Sequence, residues 1–530
     1  MSTSNRMKRI GRTVLGAGAL LLAASCDDYL DINTNPNAPQ IVSANLYLSP
    51  MLHWMATSPQ FDGRFVGRYT QQWFIATTAF TTWDRMGFDI ASDNGAQQWR
   101  DVYTTLGQNL IDMMQKAEAE QRWDLLGVGY VLKAWGWQVL ADLHGELIIK
   151  QAFEQTRTTF TYDSQEFAYL EVQRLLGEAI KNLARTDGGV DQAFLARTDK
   201  MYGGDRAKWL KLAYGMLALN LNHYTNKAAY KPQDVIDAAN KSFASNADDA
   251  LLTYTASSAD NADVNFWGRT RGNLTNYRQT RFAVELMNGT QFVGAVDPRL
   301  SRMMSPAPDG QFRGLDINVL GFGALTATQQ PNNLNGYAGT GGLQLPGRYL
   351  FDDKAKMPVM TYAEVQFIKA EAAYRLGDKA TALAAYTNGV SAHIDWVNAR
   401  NLDNNQTPTQ ITAAEKSAFL ALPVIIPTAG ALTLTNIMSQ KYIALWGWGH
   451  NEIWMDMRRY HYTDIDPASG QQVFPGFAPP VILQADNSNK VVQRIRARYN
   501  SEYVWNRPGL DAIGGLAGDF HTKPLWITTP

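Results

Sequence analysis

Apolar residues recur three and four positions apart over most of the chain, which is the spacing of one face of an α-helix. The pattern predicts helical segments at Trp99–Ala119, Trp123–Leu143, Glu166–Leu183, Arg206–Tyr224, Tyr277–Met287, Tyr362–Trp396 and Ile437–Met457. Most tryptophans at this spacing are predicted to lie in the core, among them Trp99, Trp135, Trp209, Trp446 and Trp454. No Pro-rich or Ser-rich linker separates the segments, so we expect one large, mostly all-α domain over residues 41–530.

The stretch from Ala372 to Tyr386 fits the turn of a tetratricopeptide helical hairpin, which is clearest over residues 361–395. Small Ala372 and Ala382 would let two helices approach closely, and Gly377 would end the first helix in a left-handed cap. Tyr374 and Tyr386 would fill the groove to the next helix pair. One hairpin cannot bury its apolar face alone, so the other helical segments are candidates for further hairpins, although they match the repeat pattern poorly.

Helical spacing fails between Ser305 and Leu350, where Gly, Asn, Gln and Pro crowd together. Most loops in compact domains are far shorter than this one. The stretch is therefore predicted to be a long loop that is either functional or disordered.

The N-terminus has the three parts of an export signal: basic residues from Arg6 to Arg12, an apolar run from Val14 to Ala24, and small residues just before Cys26. The run is shorter than the ~20 residues that span a bilayer. Cys26 is the only cysteine, and its position favours a bacterial lipoprotein signal over residues 1–25, with the thiol acylated to anchor the chain. A plain secretory signal with a chance cysteine is the alternative. Residues 26–40 contain two prolines and are predicted to be a tether.

Composition excludes several classes of function. Without residues 1–25, 44 basic and 49 acidic residues remain, a net charge of about −5, which argues against nucleic acid as a partner. The seven histidines show no His-x-x-x-His pair, and the chain has no phosphate-loop or Gly-x-Ser-x-Gly motif. We therefore expect no metal, no cofactor and no enzyme activity, and we nominate no catalytic carboxylate pair.

Two aromatic stretches outside the helical pattern are the better candidates for ligand contacts. One surrounds Trp83, and the other runs from Asn265 through Trp267 to Asn273. Sugar rings pack their C–H faces on aromatic planes while their hydroxyls bind Asn, Asp and Arg, and both stretches supply this mixture. The alternative is that each is a loop aromatic folded back on the body. The candidate ligand-binding residues are Trp83, Arg85, Trp267, Arg271 and Tyr277.

Seven blocks along the chain resemble the SusD/RagB outer-membrane lipoproteins of Bacteroidetes. They are Cys26–Asp31, Asn33–Asn37, Asp297–Leu300, Thr361–Ala372, Gln440–Trp446, Glu452–Arg459 and Arg494–Tyr499. The blocks span nearly the whole mature chain in the order that the family has them.

This resemblance implies a single helical domain built on tetratricopeptide-like hairpins, with long loops that carry the binding surface. It also implies a SusC-type TonB-dependent transporter as partner, and a cell-surface lipoprotein that captures an oligosaccharide without covalent chemistry. Asp27 and Asp28 resemble the acidic signal for export to the outer leaflet. Within the Thr361–Ala372 block, Glu364, Lys369 and Glu371 are expected to pair along exposed helix faces.

Three other functions stay open at this point. The same architecture occurs with oligopeptides as cargo, so peptide capture is the first alternative. A lipid-anchored hydrolase is the second. A scaffolding lipoprotein that uses its repeats only for protein contacts is the third.

Overall fold

Helices that pack on their neighbours in the sequence form most of the computed structural model, which describes residues 42–89, 93–256, 263–339, 346–403 and 410–530. The predicted signal, Cys26 and the tether lie outside these residues. Within the described ranges, no helix combines the length and apolarity needed to cross a bilayer.

The helices are α1 Leu48–Tyr69, α2 Gln97–Arg100, α3 Gly107–Ala119, α4 Trp123–His144, α5 Gln165–Leu183, α6 Gln192–Thr198, α7 Arg206–Asn222, α8 Pro232–Lys241, α9 Phe266–Arg269, α10 Arg281–Glu285, α11 Leu300–Met303, α12 Tyr362–Leu376, α13 Lys379–Leu402, α14 Ala413–Leu420, α15 Leu434–Leu445, α16 His450–Arg459 and α17 Arg507–Ala512. Two further stretches, Asp101–Leu106 and Tyr499–Trp505, are π-helical. The strands are β1 Trp73–Ile75, β2 Ala250–Leu252, β3 Tyr277–Gln279 and β4 Met357–Met360, and they form two antiparallel pairs, β1–β3 and β2–β4.

The scaffold is a continuous series of helix contacts: α3 packs on α4, α4 on α5, α5 on α7, α7 on α8, α8 on α12, and α12 on α13. The buried apolar side chains of this series join in one hydrophobic core. All five tryptophans predicted to be core are buried, which confirms that expectation. The predicted all-α, tetratricopeptide-like fold is confirmed.

The α12–α13 hairpin follows the prediction in detail. Gly377 ends α12 in the left-handed region at φ +88°, where a side chain would be strained. Ala372 and Ala382 are fully buried between the helices. On α13, a Cβ at Gly389 would lie 2.9 Å from the Phe367 ring, so the two helices approach too closely for a larger residue there.

Two of the predicted segments differ from the structure. Tyr277–Gln279 forms strand β3 because it pairs with β1, in the register Trp73 to Gln279, and only Arg281–Glu285 of the predicted Tyr277–Met287 helix is helical. The Ile437–Met457 segment is interrupted between α15 and α16 at Gly447, which has φ +92°. In both places a turn or a strand partner overrides the helical spacing.

The irregular segment from Ser305 to Gly339 contains turns and no helix or strand, as its composition predicts. It packs on the β1–β3 pair through a small apolar cluster separate from the main core, formed by Phe74, Leu315 and Ile317. The scaffold therefore has a helical side and a loop-covered side.

The expectation that Glu364 and Glu371 are exposed is wrong. Their exposed fractions are 2% and 0%, because α8, α13 and α15 cover α12. Glu364 forms a capping box with Thr361, whose hydroxyl accepts the Glu364 backbone N–H at 3.2 Å.

Glu371 belongs to a buried network of charges. Arg459 Nη1 lies 2.8 Å from Glu371 Oε1, and Arg459 also pairs with Asp456 on its own helix. Lys441 Nζ on α15 lies 2.8 Å from Asp456 Oδ2. All four side chains are at most 3% exposed, so each charge depends on its partners and not on water.

The network continues through Glu452 to His223, the residue that follows α7. Glu452 accepts from Lys441 Nζ at 2.6 Å and lies 2.9 Å from His223 Nε2. Burial alone would lower the pKa of His223, but Glu452 and Asp142 outweigh it and raise the pKa to about 9. His223 is therefore an imidazolium at neutral pH, and the network ties α4, α7, α12, α15 and α16 together.

We expect Arg459→Met to lower the free energy of unfolding by about 3–5 kcal/mol, because it removes the closest cation of the buried Glu371 carboxylate and leaves Asp456 with Lys441 alone. Chemical denaturation measures this. Arg174→Met is the control, since exposed Arg174 pairs with Glu171 on the surface of α5 and its loss should cost less than about 1 kcal/mol. Equal stability of the two variants would contradict this account of the network.

Stability should also fall as the pH rises through the range in which Glu364 ionises. Burial, and then the Glu452 charge, raise the pKa of Glu364 from 4.5 to about 8. Between those values the folded chain holds a proton that the unfolded chain has lost, so Glu364 favours folding below pH ~4.5 and loses that contribution up to about 8. Unfolding at several pH values should show a shallower decline over this range for Glu364→Gln than for the parent. The same decline in both would assign the pH dependence to other groups.

Candidate functional site

Trp83 and Arg85 lie on a short turn that packs against the side of α1. The Trp83 indole is 5% exposed, with its ring centroid 4.8 Å from that of Phe65. Arg68 of α1 holds the turn by donating from Nε to Asp84 at 2.7 Å. Arg85 is half-buried, and its carbonyl accepts the backbone N–H of Gln484 at 2.9 Å.

Trp267 lies in the interior on the opposite side of α1. Its exposed fraction is 0%, and its Nε1 donates to the carbonyl of Gly447 at 3.0 Å. Its ring centroid lies 5.3 Å from that of Trp73 on β1. Half-buried Arg271 pairs with Asp353.

These positions correct the idea that Trp83 and Trp267 are open loop aromatics. α1 covers the first indole, and β1 with the turn at Gly447 covers the second. Neither ring has a free face in this structure, so the sequence-based assignment of sugar stacking to them remains a prediction that their placement does not support.

The structure instead brings the two stretches together around a surface of α1 that we call the α1 strip: Phe61, Arg64 and Phe65. All three side chains are half-buried. Phe65 contacts Trp83, and Phe61 lies 6.1 Å, centroid to centroid, from Phe266 beside Trp267.

Tyr277 is 8% exposed and belongs to the same region. Burial raises the pKa of its hydroxyl, while the nearby cations of Arg68 and Arg64 act in the opposite direction. The α1 strip thus adjoins Trp83, Tyr277 and, through its neighbour Phe266, Trp267. The other two predicted residues, Arg85 and Arg271, make their contacts elsewhere.

Arg64 is fixed between aromatic rings. Its guanidinium carbon lies 4.1 Å from the Phe61 centroid, 5.4 Å from that of Phe65 and 5.8 Å from that of Phe266. Its Nε donates to the carbonyl of Phe61 at 3.1 Å, and this is the only hydrogen bond of Arg64 to the described residues. Among the described residues the two terminal nitrogens of Arg64 have no hydrogen-bond partner, so they can donate to a ligand.

Close packing behind the strip holds α1 in place. A Cβ at Gly63 would lie 2.1 Å from the His450 ring, and a Cβ at Gly67 would lie 2.6 Å from the Trp73 ring. Only glycine allows this approach, so α1 is pressed against α16 and β1, and its opposite face carries the strip.

The sequence interpretation missed α1 altogether, because Pro59, Gly63 and Gly67 weaken its helical signal. A usable signal was present. The buried residues Leu48, Met55 and Val66 recur at helical spacing and mark one apolar face of α1. Phe61 and Phe65 lie off that face, as expected for aromatic residues that form a surface.

In the described part of the chain, no three His, Cys, Asp or Glu side chains are grouped closely enough to hold a metal ion. The α1 strip offers two aromatic rings and guanidinium donors. This combination suits a ligand with apolar C–H surface and hydroxyl acceptors.

Residues 36–476 match the model of the SusD-like_2 family, which is described as "Starch-binding associating with outer membrane". A comparison with curated protein sequences gave no match.

Solved structures share the fold at low sequence identity. A SusD/RagB family protein from Bacteroides thetaiotaomicron superposes with a TM-score of 0.68 at 21% identity, over 92% of this chain and 99% of the other. A chitin-binding SusD homolog from Flavobacterium johnsoniae gives 0.67 at 19% identity, over 92% and 98%. A SusD homolog from Bacteroides fragilis gives 0.69 at 18%, over 92% and 100%. With the family model matching most of its length, the chain belongs to the SusD-like family.

Proposed function

We propose that this protein binds an oligosaccharide at the outer membrane and passes it to a SusC-type TonB-dependent transporter. The observation that carries the proposal is the α1 strip, where two half-buried aromatic rings flank an arginine whose terminal nitrogens have no partner in the described residues. The family description as starch-binding and associated with the outer membrane agrees with it.

The geometry suits a pyranose ring. Phe61 and Phe65 supply apolar planes for the C–H faces of a sugar, and Arg64 supplies N–H donors for its hydroxyls. The Nε bond to the Phe61 carbonyl and the neighbouring rings already fix the guanidinium, so binding costs little side-chain entropy. Acylation of Cys26 would hold this surface at the membrane.

Delivery needs a surface for the transporter, and the loop-covered side offers one. Val319, Leu320, Val481 and Ile482 are between 40% and 83% exposed. A hydrogen bond from the Val481 backbone N–H to Asn318 Oδ1, 2.9 Å long, joins the two loops that carry them. Exposed aliphatic side chains on two joined loops are typical of a protein interface.

Arg64→Ala should weaken glycan binding about tenfold while leaving the fold intact, because it removes the free donors of the strip. Calorimetry with maltoheptaose and with chitohexaose measures the affinity. Arg174→Ala is the matched control, as an arginine on α5 with an exposed side chain.

Unchanged affinity of Arg64→Ala for a glycan that the parent binds would show that the strip is not the site. Failure of the parent to bind any member of a glycan array, together with binding of peptides in the same format, would replace the oligosaccharide by an oligopeptide as cargo.

A double charge substitution, Val481→Glu with Ile482→Glu, should abolish co-purification of the transporter with the tagged protein from outer membranes, because charges cannot be buried in an apolar interface. Glycan affinity should stay at the parent value. Leu402→Glu, at a 60% exposed position on α13, is the control. Co-purification that survives the double substitution would exclude this surface as the docking site.

A further inference from the structure

A pocket lies where the two π-helical stretches meet. Asp101–Leu106 contributes Tyr103 and Thr104 to its wall, and Tyr499–Trp505 contributes Ser501 and Glu502. The cavity between them measures about 160 Å³. Wide helical turns of this type are rare in proteins and occur frequently at functional sites.

Buried carboxylates stabilise both wide turns. Asp101 accepts from Ser58 Oγ at 2.6 Å and from Gln97 Nε2 at 2.7 Å. Glu502 accepts from Tyr162 Oη at 2.6 Å and from Asn506 Nδ2 at 2.9 Å. The two turns are therefore built into the fold, and they set the shape of the pocket.

The wall of the pocket mixes aromatic and polar groups. Trp99, Tyr103 and Phe160 supply the rings. Ser501 Oγ is buried and has no hydrogen-bond partner in the described part of the chain. A buried hydroxyl without a partner is unfavourable, so a ligand that forms a hydrogen bond with it would relieve that cost.

An exposed tryptophan stands beside the pocket. Trp505 is 72% exposed, and it lies about one π-turn after Ser501 on the same segment. The next residue, Asn506, accepts the backbone N–H of Phe160 at 2.8 Å, so Trp505 is one residue away from a contact with the pocket wall. A large exposed indole so close in the chain to a pocket offers a stacking surface for a ligand.

The charges around the pocket favour a neutral ligand. Arg498 pairs with Asp93 at 2.8 Å, and Arg100 lies 3.4 Å from Asp101. Neither arginine is therefore an unpaired cation that would favour an anionic ligand. The groups that remain are rings, a hydroxyl and the carboxylate of Glu502, which together suit a sugar.

We propose that the π-segment pocket, lined by Tyr103, Phe160, Ser501 and Glu502, binds one neutral sugar residue and that Trp505 stacks on the next residue of the same chain. This rests on the proposed glycan-binding function and adds a binding site separate from the α1 strip. A glycan would then be held at two places on one protein.

Calorimetry with maltotriose and with chitotriose tests the proposal of two sites. Both probes are short, so that each bound molecule should occupy one site only. The parent should bind two molecules of the recognised probe. Trp505→Ala and Ser501→Ala should each weaken one of the two sites about tenfold and leave the other unchanged. Leu402→Ala, which removes an exposed apolar side chain on α13, is the control.

Failure of the π-segment pocket and failure of the α1 strip give different binding results. One bound molecule that Arg64→Ala removes and Trp505→Ala does not would overturn the π-segment pocket and leave the α1 strip in place. One bound molecule that Trp505→Ala removes and Arg64→Ala does not would support the pocket and overturn the strip. Unchanged binding in Trp505→Ala and in Ser501→Ala overturns the pocket whatever Arg64→Ala does.

Discussion

The pairing of Arg459 with two buried carboxylates is the constraint on which the helical scaffold depends. Glu371 on α12 and Asp456 on α16 are both buried against this cation, and Lys441 and His223 extend the network of buried charges to α15 and to the end of α7. Helices that are far apart in the sequence are thus fixed at one relative position, because any other packing would leave a charge unpaired.

The network leaves both candidate sites free to vary. Neither the α1 strip nor the π-segment pocket uses a residue of the network, and both are joined through α1. Asp62 of α1 accepts the backbone N–H groups of Gln97 and Gln98 at 3.0 and 2.9 Å, and Ser58 of α1 donates to Asp101. Burial raises the pKa of Asp62 to about 7, against the effect of these hydrogen bonds. A displacement of α1 would therefore change the geometry of both candidate sites.

Local features of the fold were predictable from the sequence, whereas features that depend on distant partners were not. Gly377 and the alanines of the α12–α13 hairpin are determined within one stretch of chain, and the structure confirms them. The exposure of Glu371 was predicted wrongly because its counter-ion, Arg459, lies 88 residues away in the sequence. Tyr277 was placed in a helix because nothing near it reveals its strand partner on β1.

The candidate site also depends on distant partners that its local sequence does not reveal. Aromatic and arginine content indicated residues close to the α1 strip, but which ring is covered depends on packing that no local pattern contains. Trp83 and Trp267 support the surface from beneath, while Phe61 and Phe65 form it. Trp505 lacks any motif, and only its exposure identifies it.

The glycines behind the α1 strip have a consequence for how such a protein could change its cargo. Gly63 and Gly67 lock α1 against His450 and Trp73, so the platform that carries Phe61 and Arg64 is rigid and insensitive to the loops around it. If this platform binds sugars as proposed, substitutions, insertions and deletions in those loops would alter which sugars reach it without disturbing its rings. Recognition of a new polysaccharide could then evolve by exchange of loops alone, on a base that stays constant.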